Sequence, residues 1–297
     1  MQKLPSVRQL QYFVALEEFG HFGRAAEASF VSQSAFSTAI QELESTLGVQ
    51  LVERTNRKVT INTVGREVAV QARLCLRELQ DMGRLARERN APLAGKLILG
   101  VIPTIGPFLL PPLLKKLRRS FPKLQLYLKE QRSDELLAGL QAGNIDLLLM
   151  ALPYPVKNVE QQVLFRDGFL LACRKGTKLV DPERFNINRL NPESVLLLED
   201  GNCLREHAVS ACSISELDKV NRFAAASLHS LLEMVEGDLG VTFVPEMAQG
   251  SALLKGTNIA TYPVKSGGYR DIALIWRKGS NHGDSYRTLG DFIRDNH

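Results

Sequence analysis

The sequence predicts an α/β fold in two parts: an N-terminal winged helix-turn-helix with a long helix behind it, then a region of alternating strands and helices in two subdomains. Three observations predict it. Over the first segment, apolar residues recur at helical spacing from Val7 to Leu47, with Gly20 and Gly48 placed as helix terminators. From Thr63 to about Asn90 a proline-free stretch carries an apolar heptad seam. Beyond Pro92, strand-length apolar runs alternate with amphipathic stretches, the pattern of parallel sheets flanked by helices.

Composition narrows the class. With 297 residues, 44% of them hydrophobic, the chain is long enough for two domains and a sizeable core. A formal net charge of +5 permits a nucleic-acid partner without requiring one. The four cysteines, Cys75, Cys173, Cys203 and Cys212, are too scattered for a secreted disulfide framework and show no CxxC spacing for zinc. Arg8 and Glu17-Glu18 bracket the stretch where a signal peptide would carry its apolar core, and the longest apolar run, Leu147 to Leu152, is too short to span a bilayer. A cytoplasmic, non-enzymatic protein with no metal, no cofactor and no membrane contact is expected.

The N-terminal elements follow in order. Val7, Leu10, Phe13, Val14 and Leu16 predict a first helix that stops at Gly20, and a second runs from Phe22 to about Ser29. After a tight turn at Phe30-Val31, Ser32 is the expected N-cap of a third helix with Phe36, Ile40, Leu43 and Leu47 on its apolar side. Its other side shows Gln33, Ser34, Ser37, Thr38 and Gln41, uncharged donors and acceptors suited to base edges in a major groove; a merely solvated face is ordinarily richer in Lys and Glu. Leu51-Val52 and Val59-Thr60-Ile61 read as two short strands around a basic turn, in which Arg54, Arg57 and Lys58 would meet phosphates.

Thr63 is the expected N-cap of the long helix, and Val68, Ala72, Cys75, Leu79, Met82 and Ala86 form its seam. A narrow stripe on a helix of roughly 40 Å needs a second copy to cover it. A homodimer through residues 63–91 is therefore expected, with Cys75 a small seam residue and two recognition helices for a dyad site on double-stranded DNA.

Ala91-Pro92-Leu93-Ala94-Gly95 marks a linker. Strands are expected over Leu97 to Ile102, Leu124 to Leu128, Asp146 to Ala151, Phe169 to Cys173, Val195 to Leu198, Phe223 to Ala226, Val241 to Val244 and Ile272 to Trp276. Helices are expected over about Pro107 to Ser120, Asp134 to Ala142, Ser227 to Glu236 and at the C-terminal end, which together make two subdomains with ligand-sized space between them. Thr104 directly follows a strand, so its hydroxyl is expected near a helix N-terminus, as a plain cap or as a donor to a small polar ligand. Ser227 reads as an N-cap, Cys173 as a buried and inert strand residue, and Lys115-Lys116-Leu117-Arg118-Arg119 as a solvated helix face.

The segment Glu199 to Cys212 carries two cysteines nine positions apart. Asp200-Gly201 is turn chemistry, and Leu204, Ala208 and Ala211 recur at helical spacing after it. Along a helix nine residues span about 13 to 14 Å. A disulfide needs Cα atoms within roughly 4.4 to 6.8 Å, so joining the two would require the helix to come apart. Cys203, at the helix start, is placed where unpaired N–H groups favour a thiolate, whereas Cys212 shares the apolar face. His207 reads as a helix-surface residue. Spacing alone leaves open whether the cysteines are small buried hydrophobes or a redox pair.

Residues Ala25-Ala26, Val31-Ser32-Gln33-Ser34-Ala35-Phe36-Ser37, Ile40, Leu43-Glu44, Leu47-Gly48, Leu51, Glu53-Arg54, Val59-Thr60 and Thr63-Val64-Gly65 agree in order and spacing with the LysR-type transcriptional regulators, which the chain resembles. Ser34 departs from the proline common there. The resemblance implies a domain plan of 1–62 for DNA binding, 63–91 for the linker and dimerisation helix, and 92–297 for a periplasmic-binding-protein-like regulatory domain. It also implies a homotetramer, with RNA polymerase as a further partner.

Ile102-Pro103-Thr104-Ile105-Gly106-Pro107, Leu109-Leu110-Pro111, Phe121-Pro122-Lys123-Leu124 and Leu198 to Arg205 with Cys212 are similar to the peroxide-sensing members of that family. That likeness implies Cys203 as the peroxidatic cysteine and Cys212 as the resolving one, with Thr104, Ser133, Asn202 and Arg270 lining a peroxide pocket. Asn202 stands where such proteins have histidine, and Ser133 where they have threonine. Asparagine carries no charge, so activation of the thiol falls to Arg270 and the helix start. The remaining alternative is a small metabolite in the cleft, with the cysteines structural.

Overall fold

The computed structural model describes residues 4–54, 59–87, 93–182, 184–186, 190–211, 219–264 and 268–297. The chain divides into two compact units, Met1–Ala91 with Gln141–Asn144, and Pro92–Leu140 with Ile145–His297.

The first unit holds α1 (Val7–Phe19), α2 (Phe22–Ala28), α3 (Gln33–Leu47), β1 (Val52–Arg54), β2 (Val59–Ile61) and α4 (Thr63–Arg87). Local chemistry sets each boundary. Ser6 and Gln9 close a capping box at the start of α1, and Gly20 ends it in the left-handed region at φ 60°. The His21 Nδ1 caps α2 by accepting from the Gly23 N–H at 3.0 Å. At the other end of α2, Val31 N–H donates to the Ala26 carbonyl and Phe30 N–H to that of Glu27, a Schellman closure with Phe30 in the left-handed position at φ 56°. The Ser32 hydroxyl then accepts from Ala35 N–H and starts α3. Phe13, Leu16, Ala25, Phe36, Ile40 and Leu43 pack into one core, with Tyr12 stacked on Phe36 at 4.9 Å.

Glu44 Oε1 accepts from the N–H groups of Leu51 and Val52, which fastens the strand pair to α3. The N-cap of α4 is Asn62, not Thr63: Asn62 Oδ1 accepts from Gly65 N–H at 2.7 Å. A β-carbon at Gly65 would collide with the Leu51 carbonyl, so this close approach needs glycine. Along the seam of α4, Ala72 is buried whereas Cys75, Leu79 and Met82 are exposed.

The second unit holds β3 (Gly95–Val101), α5 (Gly106–Ser120), β4 (Leu124–Glu130), α6 (Ser133–Gln141), β5 (Leu147–Leu152), β6 (Val159–Arg174), β7 (Val195–Leu198), α7 (Cys203–Ala211), β8 (Val220–Ala225), α8 (Leu228–Glu236), β9 (Thr242–Pro245), β10 (Ile259–Pro263), β11 (Tyr269–Arg277) and α9 (Gly283–Asn296). The pairing corrects the expectation of parallel sheets. β3 runs parallel to β4 and β5, but β11 runs antiparallel to β5 and β6, and β9 and β10 run antiparallel to β6. The physical reason is β6, a strand of 16 residues whose first half pairs with β11 and whose second half pairs with β9 and β10.

Two cores result, and β6 passes from one to the other. The first gathers β3, β5, β11, α5, α6 and α9, with every residue of β5 buried. The second gathers Phe169 to Cys173, β7, α8 and β9. α7 belongs to both: Cys203 packs in the first core, Leu204 and Ala208 in the second. Among the described residues no helix is long and apolar enough to cross a membrane.

Candidate functional site

In the first unit, Gln33, Ser34, Thr38 and Gln41 lie exposed along α3, with Ser37 half-buried between them. The Ser32 and Ser34 hydroxyls lie 3.1 Å apart, and Thr38 Oγ1 donates back to the Ser34 carbonyl at 3.0 Å. The face is therefore polar, uncharged and pre-arranged at the first turn of the helix. Arg54 ends β1, while Arg57 and Lys58 lie outside the described residues.

In the second unit the chemistry centres on the start of α7. The turn before it is shaped by Gly201 at φ +82°, where any side chain would strike the Arg132 guanidinium; Arg132 Nη2 donates to the Asp200 carbonyl at 2.9 Å. Arg205 reaches back to pair with Asp200 at 2.8 Å and to donate to the Leu198 carbonyl at 3.0 Å. Asn202 Oδ1 accepts from Leu204 N–H at 3.2 Å, so its side chain secures the first turn of the helix. Cys203 is the first helical residue, a free thiol and only 3% exposed. Cys212 lies outside the described residues.

Opposite sits Arg270, wholly buried. Its Nη1 donates to Thr104 Oγ1 at 2.9 Å, its Nη2 to the Thr104 carbonyl at 2.8 Å, and its Nε to Asp167 Oδ2 at 2.9 Å. Thr104 is thus no helix cap: Ile105 precedes α5, and the Thr104 hydroxyl is taken by the guanidinium instead, because a buried cation demands acceptors. Having accepted with its oxygen, that hydroxyl keeps its own proton to donate. Ser133, at the start of α6, is 2% exposed and its hydroxyl makes no hydrogen bond of full geometry.

These groups act on one sulfur. Burial pushes the Cys203 thiol above its ordinary pKa; the Ser133 hydroxyl and the Arg270 charge pull it back, and Glu206 opposes them. Arg270 and Ser133 offset part of the cost of an anion on sulfur, and the Thr104 hydroxyl can donate to a small polar molecule. The site brings together Cys203, Ser133, Arg270 and, through Arg270, Thr104.

Two residues here escaped the sequence reading. His207 is no surface residue: it is 4% exposed, its Nε2 donates to the Pro153 carbonyl at 2.8 Å, and its Nδ1 is buried without a partner. Burial depresses its pKa, and the Arg270 charge depresses it further. The reason for the correction is that α7 lies between two cores, so it buries a second stripe one turn apart, Cys203 and His207. The other is Asp167, whose only signal was a charge at the mouth of an apolar run.

A helix-turn-helix unit with a polar recognition face, joined to an α/β unit holding a buried polar site, defines a DNA-binding regulator with a sensing domain. Residues 7–66 match the model of the bacterial regulatory helix-turn-helix protein, lysR family, and residues 90–297 match the LysR substrate binding domain. The chain belongs to the LysR family of transcriptional regulators.

Among relatives, it is 39% identical over 295 residues to the HTH-type transcriptional regulator EstR of Acinetobacter baylyi, covering 99% of this chain and 98% of that one. It is 36% identical over 289 residues to the DNA-binding transcriptional dual regulator OxyR of Escherichia coli, covering 97% and 95%. A full-length OxyR variant from Pseudomonas aeruginosa superposes with a TM-score of 0.82 at 31% identity, covering 98% of this chain and 95% of that one.

Proposed function

We propose that this regulator responds to hydrogen peroxide through Cys203 and Cys212 and controls antioxidant genes. The observation that carries the reading is the setting of Cys203: a buried thiol at a helix start, with the Arg270 charge and the Ser133 hydroxyl acting on its sulfur. The Cys203 thiolate attacks one peroxide oxygen, the O–O bond breaks, and the leaving hydroxide takes up a proton as water; sulfur is oxidised to the sulfenic acid. The Cys212 thiolate then attacks that sulfur, the S–O bond breaks with loss of a second water, and the disulfide closes. Thr104, Ser133, Asn202 and Arg270 would hold the oxidant.

A disulfide across nine residues is incompatible with an intact helix, which spans about 13 to 14 Å over that length. Closing it must unwind α7, and α7 contributes to both cores of the sensing domain. The mechanical output would be a change in how copies of the chain assemble. The exposed apolar positions Leu79 and Met82 on α4 support a homodimer through residues 63–91, and the family supports a homotetramer, contact with RNA polymerase and a cytoplasmic location. Gln33, Ser34, Ser37, Thr38 and Gln41 would read bases, with Arg54, Arg57 and Lys58 on phosphates.

A second reading, a small metabolite as inducer with structural cysteines, is favoured by one observation: burial holds the Cys203 thiol towards its protonated, unreactive form. DNA footprinting of the wild type and of Cys203→Ser, each with and without stoichiometric peroxide, separates the two. The peroxide reading expects a footprint that changes only in the wild type. An unchanged wild-type footprint, or the same change in Cys203→Ser, contradicts it.

A further inference from the structure

Arg270 is held by more than Thr104. Asp167 Oδ2 accepts from Arg270 Nε at 2.9 Å and forms an ion pair with Nη2 at 2.9 Å, and its Oδ1 accepts from Met247 N–H at 2.9 Å. Both side chains of the pair are buried, 0% and 2% exposed. A guanidinium has five N–H groups in one plane. Here Nε uses one on Asp167, Nη2 uses two on the Thr104 carbonyl and the Met247 Sδ, and Nη1 uses one on Thr104 Oγ1. The fifth, on Nη1, has no partner among the described residues. A planar fork gripped on three of its edges cannot turn, so the carboxylate dictates where that last donor points.

We propose that Asp167 is a positioning residue for the Cys203 chemistry: it fixes the Arg270 guanidinium so that one N–H stays free for the oxidant, and its negative charge limits how far Arg270 favours the thiolate. The inference rests on the peroxide reading above. It also has a structural corollary. Asp167 sits on β6 where that strand passes between the cores, and its second oxygen holds Met247 in the short 3-10 turn after β9. One carboxylate therefore ties the reactive site to the strand that joins the subdomains.

The groups acting on Cys203 from the elements around it are Ser133 on α6, Arg270 on β11 and Glu206 on its own helix, while Tyr154 after β5 itself feels the charge of Cys203. His207 lies one turn along the same helix. Substitution at Asp167 touches only Arg270 among them.

The test uses the full-length reduced protein as wild type, Asp167→Asn and Asp167→Glu. Two quantities are read against pH: the Cys203 thiolate, from the ultraviolet absorbance lost in a Cys203→Ser reference, and the rate of sulfenic acid formation on the Cys203 peptide. Asp167→Asn removes the opposing charge, so the thiolate midpoint should fall by about half a unit or more. Asp167→Glu keeps the charge but displaces the fork, so the midpoint should stay while the limiting rate falls about tenfold or more.

Wild-type values of both quantities in both variants overturn the proposal. Should Asp167→Asn fail to fold, Asp167→Glu decides alone: a wild-type limiting rate overturns it, and the loss supports it. A wild-type thiol inert to peroxide defeats the peroxide reading itself, while the midpoint comparison still reports whether Asp167 governs the Arg270 field.

Discussion

Arg270 and Thr104 are joined twice, from Nη1 to the side-chain hydroxyl at 2.9 Å and from Nη2 to the main-chain carbonyl at 2.8 Å. The pair spans the sequence from the end of β3 to the start of β11, and both residues are buried. Thr104→Val keeps the shape and the carbonyl bond but removes the acceptor for Nη1. A buried donor left without its partner costs about 1 to 3 kcal/mol, and more when it is charged, and the site also loses a hydroxyl that could donate to an oxidant. Urea unfolding should show that loss, and the peroxide rate of Cys203 should fall with it. Thr104→Ser, which retains the hydroxyl, should restore both.

His207 gives the fold a pH dependence of definite sign. Its pKa is depressed in the folded protein, so the unfolded chain binds the proton more readily and stability falls as pH drops. The full stability is present above the ordinary histidine value of about 6.5 and declines below it, towards the folded value. Unfolding midpoints at several pH values between about 7.5 and 5.5 should trace that decline. His207→Gln can still donate to the Pro153 carbonyl but does not titrate, so its midpoints should vary less steeply over the same window.

The two classes of DNA contact should separate by salt. Gln33→Ala or Gln41→Ala removes a base-reading group and should cost about 1 to 3 kcal/mol at a specific site while relaxing the preference for sequence. Arg57→Ala or Lys58→Ala should weaken binding to all sequences alike and reduce the slope of log K against log salt by about one. Binding isotherms on a specific and a random duplex at several salt concentrations read both effects.

Legibility in the sequence followed the range of the interactions. The helix-turn-helix was readable residue by residue because its boundaries are local: Ser32 caps α3, and Gly20 and Gly48 end helices in the left-handed region. The start of α7 at Cys203 was readable for the same reason, a turn with glycine followed by helical spacing. The grip on Arg270 was not, since Asp167 lies 103 and Thr104 166 residues away from it and neither separation leaves a pattern. The first half of β6 was missed because Val159 to Gly168 is mostly polar, being held by pairing with β11 and not by burial on both faces. His207 was misplaced because a polar residue on an amphipathic helix is taken for the solvent side, and only the presence of a core on each side of α7 reverses that.

The role given to Cys212 depends on chemistry following the first oxidation. In Cys212→Ser the Cys203 sulfenic acid has no resolving thiol, so it should persist long enough to be trapped with dimedone, whereas the wild type should show little of that adduct. Equal trapping in the two proteins would remove Cys212 from the sequence of events.

The most direct measurement is hydrogen exchange across Cys203–Ala211 combined with disulfide mapping, on the same full-length sample before and after one equivalent of peroxide. The account predicts a single new Cys203 to Cys212 link and, with it, loss of amide protection along that helix, reversed by a dithiol. A link formed with protection unchanged, or protection lost with no link between these two sulfurs, would contradict it.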